Sequence, residues 1–168
     1  GGRAIGLSGK DGRLLRARRV DDKDIGFVGD IIKVNVDIIK DISGHGYIPV
    51  IAPLADGVDG YSYNINADTA AGRIAEALSA EKLILLTDVD GVLGVDGSLI
   101  SSLSNEEVDM LIKKKTISGG MIPKVTCCIH AIKGGVKETH IINGRIPHAI
   151  LLEVFTDSGI GTKISGGQ

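Results

Sequence analysis

Two positions in this sequence put reactive or charged residue types where chemistry could happen. Gly119-Gly120 lets a backbone approach a phosphate closely. The helix expected after it offers N–H groups at its start with Lys124 one turn in, a partial positive end beside a full charge. Many helices also begin on glycine and carry an early lysine, so the pattern by itself fits an ordinary helix start as well. Asp68 falls in the first turn of another expected helix, where a carboxylate is electrostatically comfortable and serves helix stability if nothing else.

Other chemistries fail on their residues. A P-loop needs glycine, four residues, then Gly-Lys-Ser or Gly-Lys-Thr, and around Gly9-Lys10 those places hold Ala4 and Asp11. Asp88-Val89-Asp90-Gly91 begins like a calcium loop, but Val92 and Leu93 stand where a ligand and the invariant glycine belong. His45, His130, His140 and His148 lack ligand spacing, and no Ser/His/Asp set announces itself. Cys127 and Cys128 are adjacent, a poor disulfide pair, and read as small apolar helix residues of a reducing compartment.

The elements that must position these residues centre on Asn64 to Gly91: a polar entry, an amphipathic helix, a buried strand and a glycine-bearing loop. The carboxyl end of such a strand is where an open α/β sheet keeps its ligand. Ala67, Ala70, Ala71, Ile74, Ala75 and Leu78 share one helix face, a small-residue stripe that can lie close to a sheet. Leu83 to Leu86 is a continuous apolar run, expected as a strand covered on both faces. Asn64, Asn66 and Asp68 precede the helix, and Thr87, Asp88 and Asp90 follow the strand.

Upstream, Asp11-Gly12 predicts a hairpin joining Ala4–Leu7 to the arginine-bearing run from Arg13 to Arg19 as antiparallel strands. That one basic patch reads as a solvated face, since no aromatic side chains interleave for base stacking. Asp21 to Asp30 reads as a turn or short edge strand, Val34 to Ser43 as a helix, Ile48 to Leu54 as a buried strand, and Asp59-Gly60 as another hairpin turn. Downstream, Asp96-Gly97 turns the chain, and Ser104 with Glu107 forms a capping box for a helix through about Lys115. Pro123 suits the first turn of a helix to about Lys133. His140–Ile142 reads as a strand, Pro147–Phe155 as a helix and Gly161–Ser165 as a closing strand. The alternation predicts an α/β fold, a three-layer sandwich with a mainly parallel central sheet and edge β-hairpins.

The 168 residues fit one domain with a sizeable core. A net charge of -2 argues against a nucleic-acid surface and gives no sign of membrane attraction. No apolar run approaches the roughly 20 residues of a membrane span, and nothing at the start resembles a signal peptide. A cytoplasmic protein is expected, or one of a plastid or mitochondrial matrix if a transit peptide was removed.

Tyr63-Asn64-Ile65-Asn66-Ala67-Asp68, Leu86-Thr87-Asp88-Val89-Asp90-Gly91-Val92-Leu93 and Gly119-Gly120-Met121-Ile122-Pro123-Lys124-Val125 resemble the successive signatures of the amino-acid kinase family, specifically of its N-acetylglutamate kinases. Ser8-Gly9-Lys10-Asp11-Gly12, Asp24-Ile25-Gly26-Phe27-Val28-Gly29 and Phe155-Thr156-Asp157-Ser158-Gly159-Ile160-Gly161-Thr162 fit the same enzymes. The similarity runs essentially end to end and in order.

The resemblance implies transfer of the γ-phosphoryl group of ATP, with Mg2+ bound mainly through phosphates, to the side-chain carboxylate of N-acetyl-L-glutamate in arginine biosynthesis. By it, Lys124 stabilises phosphoryl oxygens, Asp68 orients active-site lysines and Asn64 binds acetylglutamate. Thr87, Asp88, Val89, Asp90, Gly91, Val92 and Leu93 line the nucleotide pocket together with Thr116, Ile117, Ser118, Met121 and Lys124. His140, Glu153 and Gly159 resemble positions that hold the feedback inhibitor L-arginine in the arginine-sensitive branch, and a carboxylate at 153 suits a guanidinium fork. That branch also implies a homo-hexamer and, in some members, docking of the PII signalling protein. The family's N-terminal part, with its Gly-Gly-Gly-Pro-type motif, a second catalytic lysine and much of the acetylglutamate pocket, has no counterpart in these residues. The resemblance therefore implies a C-terminal, nucleotide-binding portion, nearly inactive alone. Another kinase of the superfamily, or a non-catalytic arginine- or PII-binding module, are the alternatives.

Overall fold

The chain opens with β1 (Arg3–Ser8), and the turn after it does not make the expected hairpin. Asp11 Oδ2 accepts the Ser8 N–H at 2.7 Å, and Asp11–Arg13 closes a 3₁₀ turn in place of a two-residue reversal. Leu14 and Leu15 then bury completely, which carries β2 (Leu15–Arg19) away from β1. It pairs antiparallel with β3 (Gly29–Val34), an edge strand that shares only Gly29 and Asp30 with the stretch expected as a turn or short edge strand and extends into residues beyond it. The arginines are partly spoken for: Arg16 meets Asp56 at 2.7 Å, and Arg19 lies 5.6 Å over the Phe27 ring.

The first helix, α1 (Asp37–Gly44), starts later than its apolar spacing predicts, because Val34 ends β3 and Asn35 Oδ1 accepts the Asp37 N–H at 3.2 Å. β4 (Tyr47–Ala52) follows and pairs in parallel with β1, from Arg3↔Tyr47 to Ser8↔Ala52. The expected burial of this strand is corrected. Ile51 packs into the core, but Ile48 and Val50 on the alternate face are 59% and 57% exposed. β5 (Leu54–Gly57) and β6 (Ser62–Asn64) form the hairpin expected around Asp59-Gly60. Tyr63 is buried there, and its hydroxyl donates to the Asp59 carboxylate. The carboxyl of Asp59 is thereby held below its ordinary value, by that hydroxyl first and against the opposing effect of desolvation. α2 (Ala67–Leu78) buries Ala70 and Ala75 of the expected small-residue face together with Gly72, a residue outside that face, while Ala67 at the helix start is exposed. The core of this stretch gathers Leu14, Leu15, Ala17, Ile39, Ala55, Tyr63, Ile65 and Ala70.

In the remainder, β7 (Lys82–Thr87), β8 (Ser102–Ser104), β9 (Glu138–Asn143) and β10 (Thr162–Ser165) form one sheet in the order β7-β9-β10-β8. β7 runs parallel to β9 and β8 parallel to β10, while β9 and β10 are antiparallel. The expected cover of β7 on both faces is incomplete: Leu83 and Leu85 are buried on one face, while on the other Ile84 is half-buried and Leu86 is 48% exposed. Its helices are α3 (Asn105–Lys113), α4 (Met121–Lys133) and α5 (Ala149–Phe155). The capping box of α3 forms in full, with Glu107 N–H donating to Ser104 Oγ at 3.2 Å and Ser104 N–H to Glu107 Oε2 at 2.8 Å.

The computed structural model describes residues 1–21, 25–156 and 159–166 as two compact units, Gly1–Leu78 and Ser79–Gln168. Asp24, Asp157 and Ser158 of the family-like runs lie outside the described residues. The class is α/β with mixed, mainly parallel sheets. Among the described residues no helix is long and apolar enough to cross a membrane.

Candidate functional site

The site in the second unit is built by two loops. The first leaves the carboxyl end of β7 and contributes Thr87, Asp88, Val89, Gly91, Val92 and Leu93 to a cavity of about 380 Å³. Gly91 is forced here: its φ is 148°, and a Cβ would stand 2.6 Å from Thr162 Oγ1. The next residue, Val92, is buried and donates its N–H to that same hydroxyl at 2.8 Å. Thr162 in turn donates to the Ile100 carbonyl at 2.7 Å, so the closing strand fixes the floor of the cavity.

The second loop owes its path to how α3 ends. Lys115 takes the left-handed conformation, at φ 59°, while Thr116 N–H reaches Leu111 O at 3.0 Å and Lys115 N–H reaches Ile112 O at 2.9 Å. This is a Schellman termination with lysine in glycine's usual place. It stops the helix short of the expected Lys115 and delivers Thr116, Ile117 and Ser118 to the cavity. Gly119, at φ 55°, turns the chain into α4, whose first turn adds Gly120, Met121 and Lys124. Two of the N–H groups expected to point at an anion are engaged locally, Met121 with Ser118 O at 3.3 Å and Ile122 with Gly119 O at 3.2 Å. Pro123 has none to give. The half-buried Lys124 is the cation that this helix start brings to the cavity.

Val89, Val92, Leu93, Ile117 and Met121 give the cavity apolar walls, Lys124 and the start of α4 give it a positive end, and its volume is in the range of small-molecule sites. Such a space suits a flat heteroaromatic ring carrying phosphates. Every residue expected to line a nucleotide pocket lies on it except Asp90. The Asp90 carboxylate is turned elsewhere, accepting a hydrogen bond from Asn143 Nδ2 at 2.7 Å.

Asn64 and Asp68 belong to the first unit. Asn64 ends β6, exposed, with its N–H donated to Phe27 O at 2.8 Å. Asn66 caps α2 through Oδ1, which accepts the Thr69 N–H at 3.0 Å, and the half-buried Asp68 follows in the first turn. Among the described residues no group of three or more His, Cys, Asp or Glu side chains is placed to hold a metal ion.

His140, Glu153 and Gly159 come together in a second cluster. His140 Nδ1 lies 2.6 Å from Glu153 Oε1, both side chains buried, and Ile160 N–H donates to Glu153 Oε2 at 2.7 Å. A Cβ on Gly159 would press to 3.0 Å from that oxygen. Glu153 is therefore no exposed helix residue. Burial pushes its carboxyl up, but the hydrogen bonds from Ile160 and His140 outweigh it and hold the group below its ordinary value. Sequence reasoning missed the neighbour: Glu138, bonded to Lys163 at 2.5 Å and Lys82 at 2.9 Å, lies 3.5 Å from His140 Nε2. Lys163 first, then Lys82, depress the Glu138 carboxyl to about 2. The signal available was β-strand alternation, which puts Glu138 and His140 on one face of β9.

A model of the amino acid kinase family matches residues 1–143. Among curated relatives, the acetylglutamate kinase of Heliobacterium modesticaldum is 53% identical over 98% of this chain and 60% of that protein. The acetylglutamate kinase of Thermoanaerobacter pseudethanolicus is 58% identical over 98% of this chain and 56% of that protein. The chain thus spans somewhat under two thirds of the length of these relatives. Among solved structures, the N-acetylglutamate synthase of Neisseria gonorrhoeae complexed with coenzyme A and L-arginine superposes with a TM-score of 0.83. It is 29% identical over 98% of this chain and 38% of that one.

Proposed function

The chain belongs to the amino acid kinase family, and on that premise we propose that it is the nucleotide-binding portion of an acetylglutamate kinase. The observation that carries the proposal is the convergence of the Thr87–Leu93 loop and the Thr116–Lys124 segment on one cavity, in a chain more than half identical to proteins of that name. The reaction proposed for the whole protein moves the γ-phosphoryl group of MgATP onto the side-chain carboxylate of N-acetyl-L-glutamate. That carboxylate is already an ionised nucleophile at neutral pH, so no general base is required. Catalysis then rests on alignment and on neutralising charge as the phosphoryl group moves. Lys124 supplies positive charge to phosphate oxygens, Asp68 orients the lysines, Asn64 binds acetylglutamate, and Mg2+ is held mainly by the phosphates. The acceptor pocket and a second lysine belong to a part of the enzyme outside these residues, and catalysis is assigned to the two parts together. The named relatives are bacterial, and the cytoplasm is the proposed site of action.

The His140–Glu153–Gly159 cluster supports L-arginine as effector, as does the likeness to a synthase solved with L-arginine. A homo-hexamer and docking of PII belong to the same proposal for the whole enzyme.

Calorimetry of MgATP with this chain and with Lys124→Ala tests the reading. Binding by the wild type, weakened about tenfold or more in the variant, is the expected result for loss of a charge at phosphate. A demonstrably folded chain that binds no nucleotide would remove the basis for assigning it the ATP site.

A further inference from the structure

Thr87 and Asn143 are register partners at the carboxyl ends of two adjacent parallel strands, β7 and β9. Beyond that pair, each residue of the tripeptide Asn143-Gly144-Arg145 reaches back to the loop that floors the cavity. Gly144 N–H donates to Thr87 O at 2.8 Å, Asn143 Nδ2 donates to Asp90 Oδ1 at 2.7 Å, and Arg145 Nη2 stands 3.4 Å from Asp88 Oδ2. Asn143 is itself oriented, since its Oδ1 accepts the Arg145 N–H at 2.9 Å and leaves the amide nitrogen directed at Asp90. Gly144 packs so closely that a Cβ would stand 3.1 Å from the Leu86 Cβ.

Electrostatics gives this arrangement a purpose. Asp88 and Asp90 flank Val89, and two carboxylates facing a polyphosphate would oppose its binding. The Asp90 carboxylate is tied to the Asn143 amide and lies off the cavity lining, and Asp88, which does line the cavity, keeps the Arg145 countercharge within reach. We propose that Asn143, assisted by Arg145, is a positioning residue for the nucleotide cavity, holding the Asp88–Asp90 stretch so that the Asp90 carboxylate stays off the phosphates while that of Asp88 is paired with a countercharge. The proposal rests on the nucleotide reading of that cavity. The Arg145–Asp88 pair is mostly exposed and contributes little energy, so the Asn143–Asp90 bond is the principal tie.

The chemistry of that bond makes the test asymmetric. Asp90→Asn keeps an oxygen that accepts from Asn143, whereas Asn143→Asp sets a second carboxylate against Asp90. The double exchange Asp90→Asn/Asn143→Asp restores one donor facing one acceptor with their sides reversed. Two quantities are read on the full chain: MgATP affinity by calorimetry, and amide hydrogen exchange of Gly91 and Val92 without ligand. Asp90→Asn is expected to stay near wild type. Asn143→Asp is expected to lose affinity about tenfold and to exchange faster at both amides, and the double exchange to recover both readouts to within about threefold. Recovery by the reversed pair distinguishes a specific tie from general damage to the fold. A double exchange no better than Asn143→Asp, or an Asn143→Asp variant indistinguishable from wild type, would overturn the proposal. Normal exchange behaviour in a wild type that binds no nucleotide would overturn the nucleotide reading instead, leaving Asn143 a clamp on a loop of another purpose.

Discussion

Thr162 and Val92 are 70 residues apart in sequence, and the buried hydroxyl of the first accepts the N–H of the second at 2.8 Å. Because the same hydroxyl donates to Ile100 O at 2.7 Å, one side chain satisfies two backbone groups, the Val92 N–H in a buried setting and the Ile100 carbonyl in a partly buried one. Thr162→Val keeps the shape and removes both bonds, stranding the Val92 N–H and the Ile100 carbonyl. A loss of about 2–3 kcal/mol is expected in urea unfolding, with Thr162→Ser losing markedly less because the hydroxyl remains. A valine variant within about 0.5 kcal/mol of wild type would mean that these groups find other partners.

Lys115 makes the opposite prediction. Its left-handed conformation ends α3 and aims Thr116 and Ile117 at the cavity, yet a side chain there is strained. Lys115→Gly relieves that strain while keeping both Schellman hydrogen bonds, so the folded state should gain about 0.5–1 kcal/mol after the extra flexibility of the unfolded chain is counted. Chemical denaturation reads the sign directly. A destabilised glycine variant would show that the lysine stem packs usefully enough to outweigh its backbone.

These two residues also show what the sequence could and could not reveal. Local signals translated into structure: the capping box at Ser104 and Glu107, the small-residue face of α2, and the entry of Pro123 into α4 all depend on neighbours within one or two turns. The Asp11-Gly12 turn failed because its outcome was settled by more distant groups. The parallel pairing of β4 occupies an edge of β1, and burial of Leu14 and Leu15 draws β2 elsewhere. Lys115 gave no stop signal because glycine or asparagine normally marks that position. The loops lining the cavity were legible through family-like runs, and a further such run ends on Thr162, but the ties that Thr162 and Asn143 make to them span 70 and 53 residues of sequence and could not be read locally.

Glu153 links stability to the proposed effector site. Removing its carboxylate leaves the Ile160 N–H and His140 Nδ1 without their partner in a buried setting, so Glu153→Ala should cost on the order of 2–4 kcal/mol. Glu153→Gln retains an acceptor for Ile160 and should cost less. In the whole enzyme, arginine inhibition should be lost in Glu153→Gln even where the protein remains folded, because an amide offers no charge to a guanidinium. Inhibition curves that superpose on wild type would exclude this cluster as the effector site.

Glu138 makes the pH prediction. Its carboxyl is lowered from 4.5 to about 2 by Lys163 and Lys82, so the ionised form is favoured by folding. The associated stability is fully present above about pH 4.5 and is lost as pH falls through about 2, where the folded state must also take up the proton. With Lys82 and Lys163 partly in solvent, screening reduces the contribution to on the order of 1–2 kcal/mol. Lys82 is raised in turn, by the hydrogen bond to Glu138 first, so its share persists at neutral pH and is lost only above the ordinary lysine value of 10.5. Thermal unfolding followed from about pH 5 to about pH 2 should fall less steeply in Glu138→Gln than in the wild type, the two curves converging at the acid end. Parallel curves over that window would show that the Lys82–Glu138–Lys163 triad forms no more strongly in the folded chain than in the unfolded one.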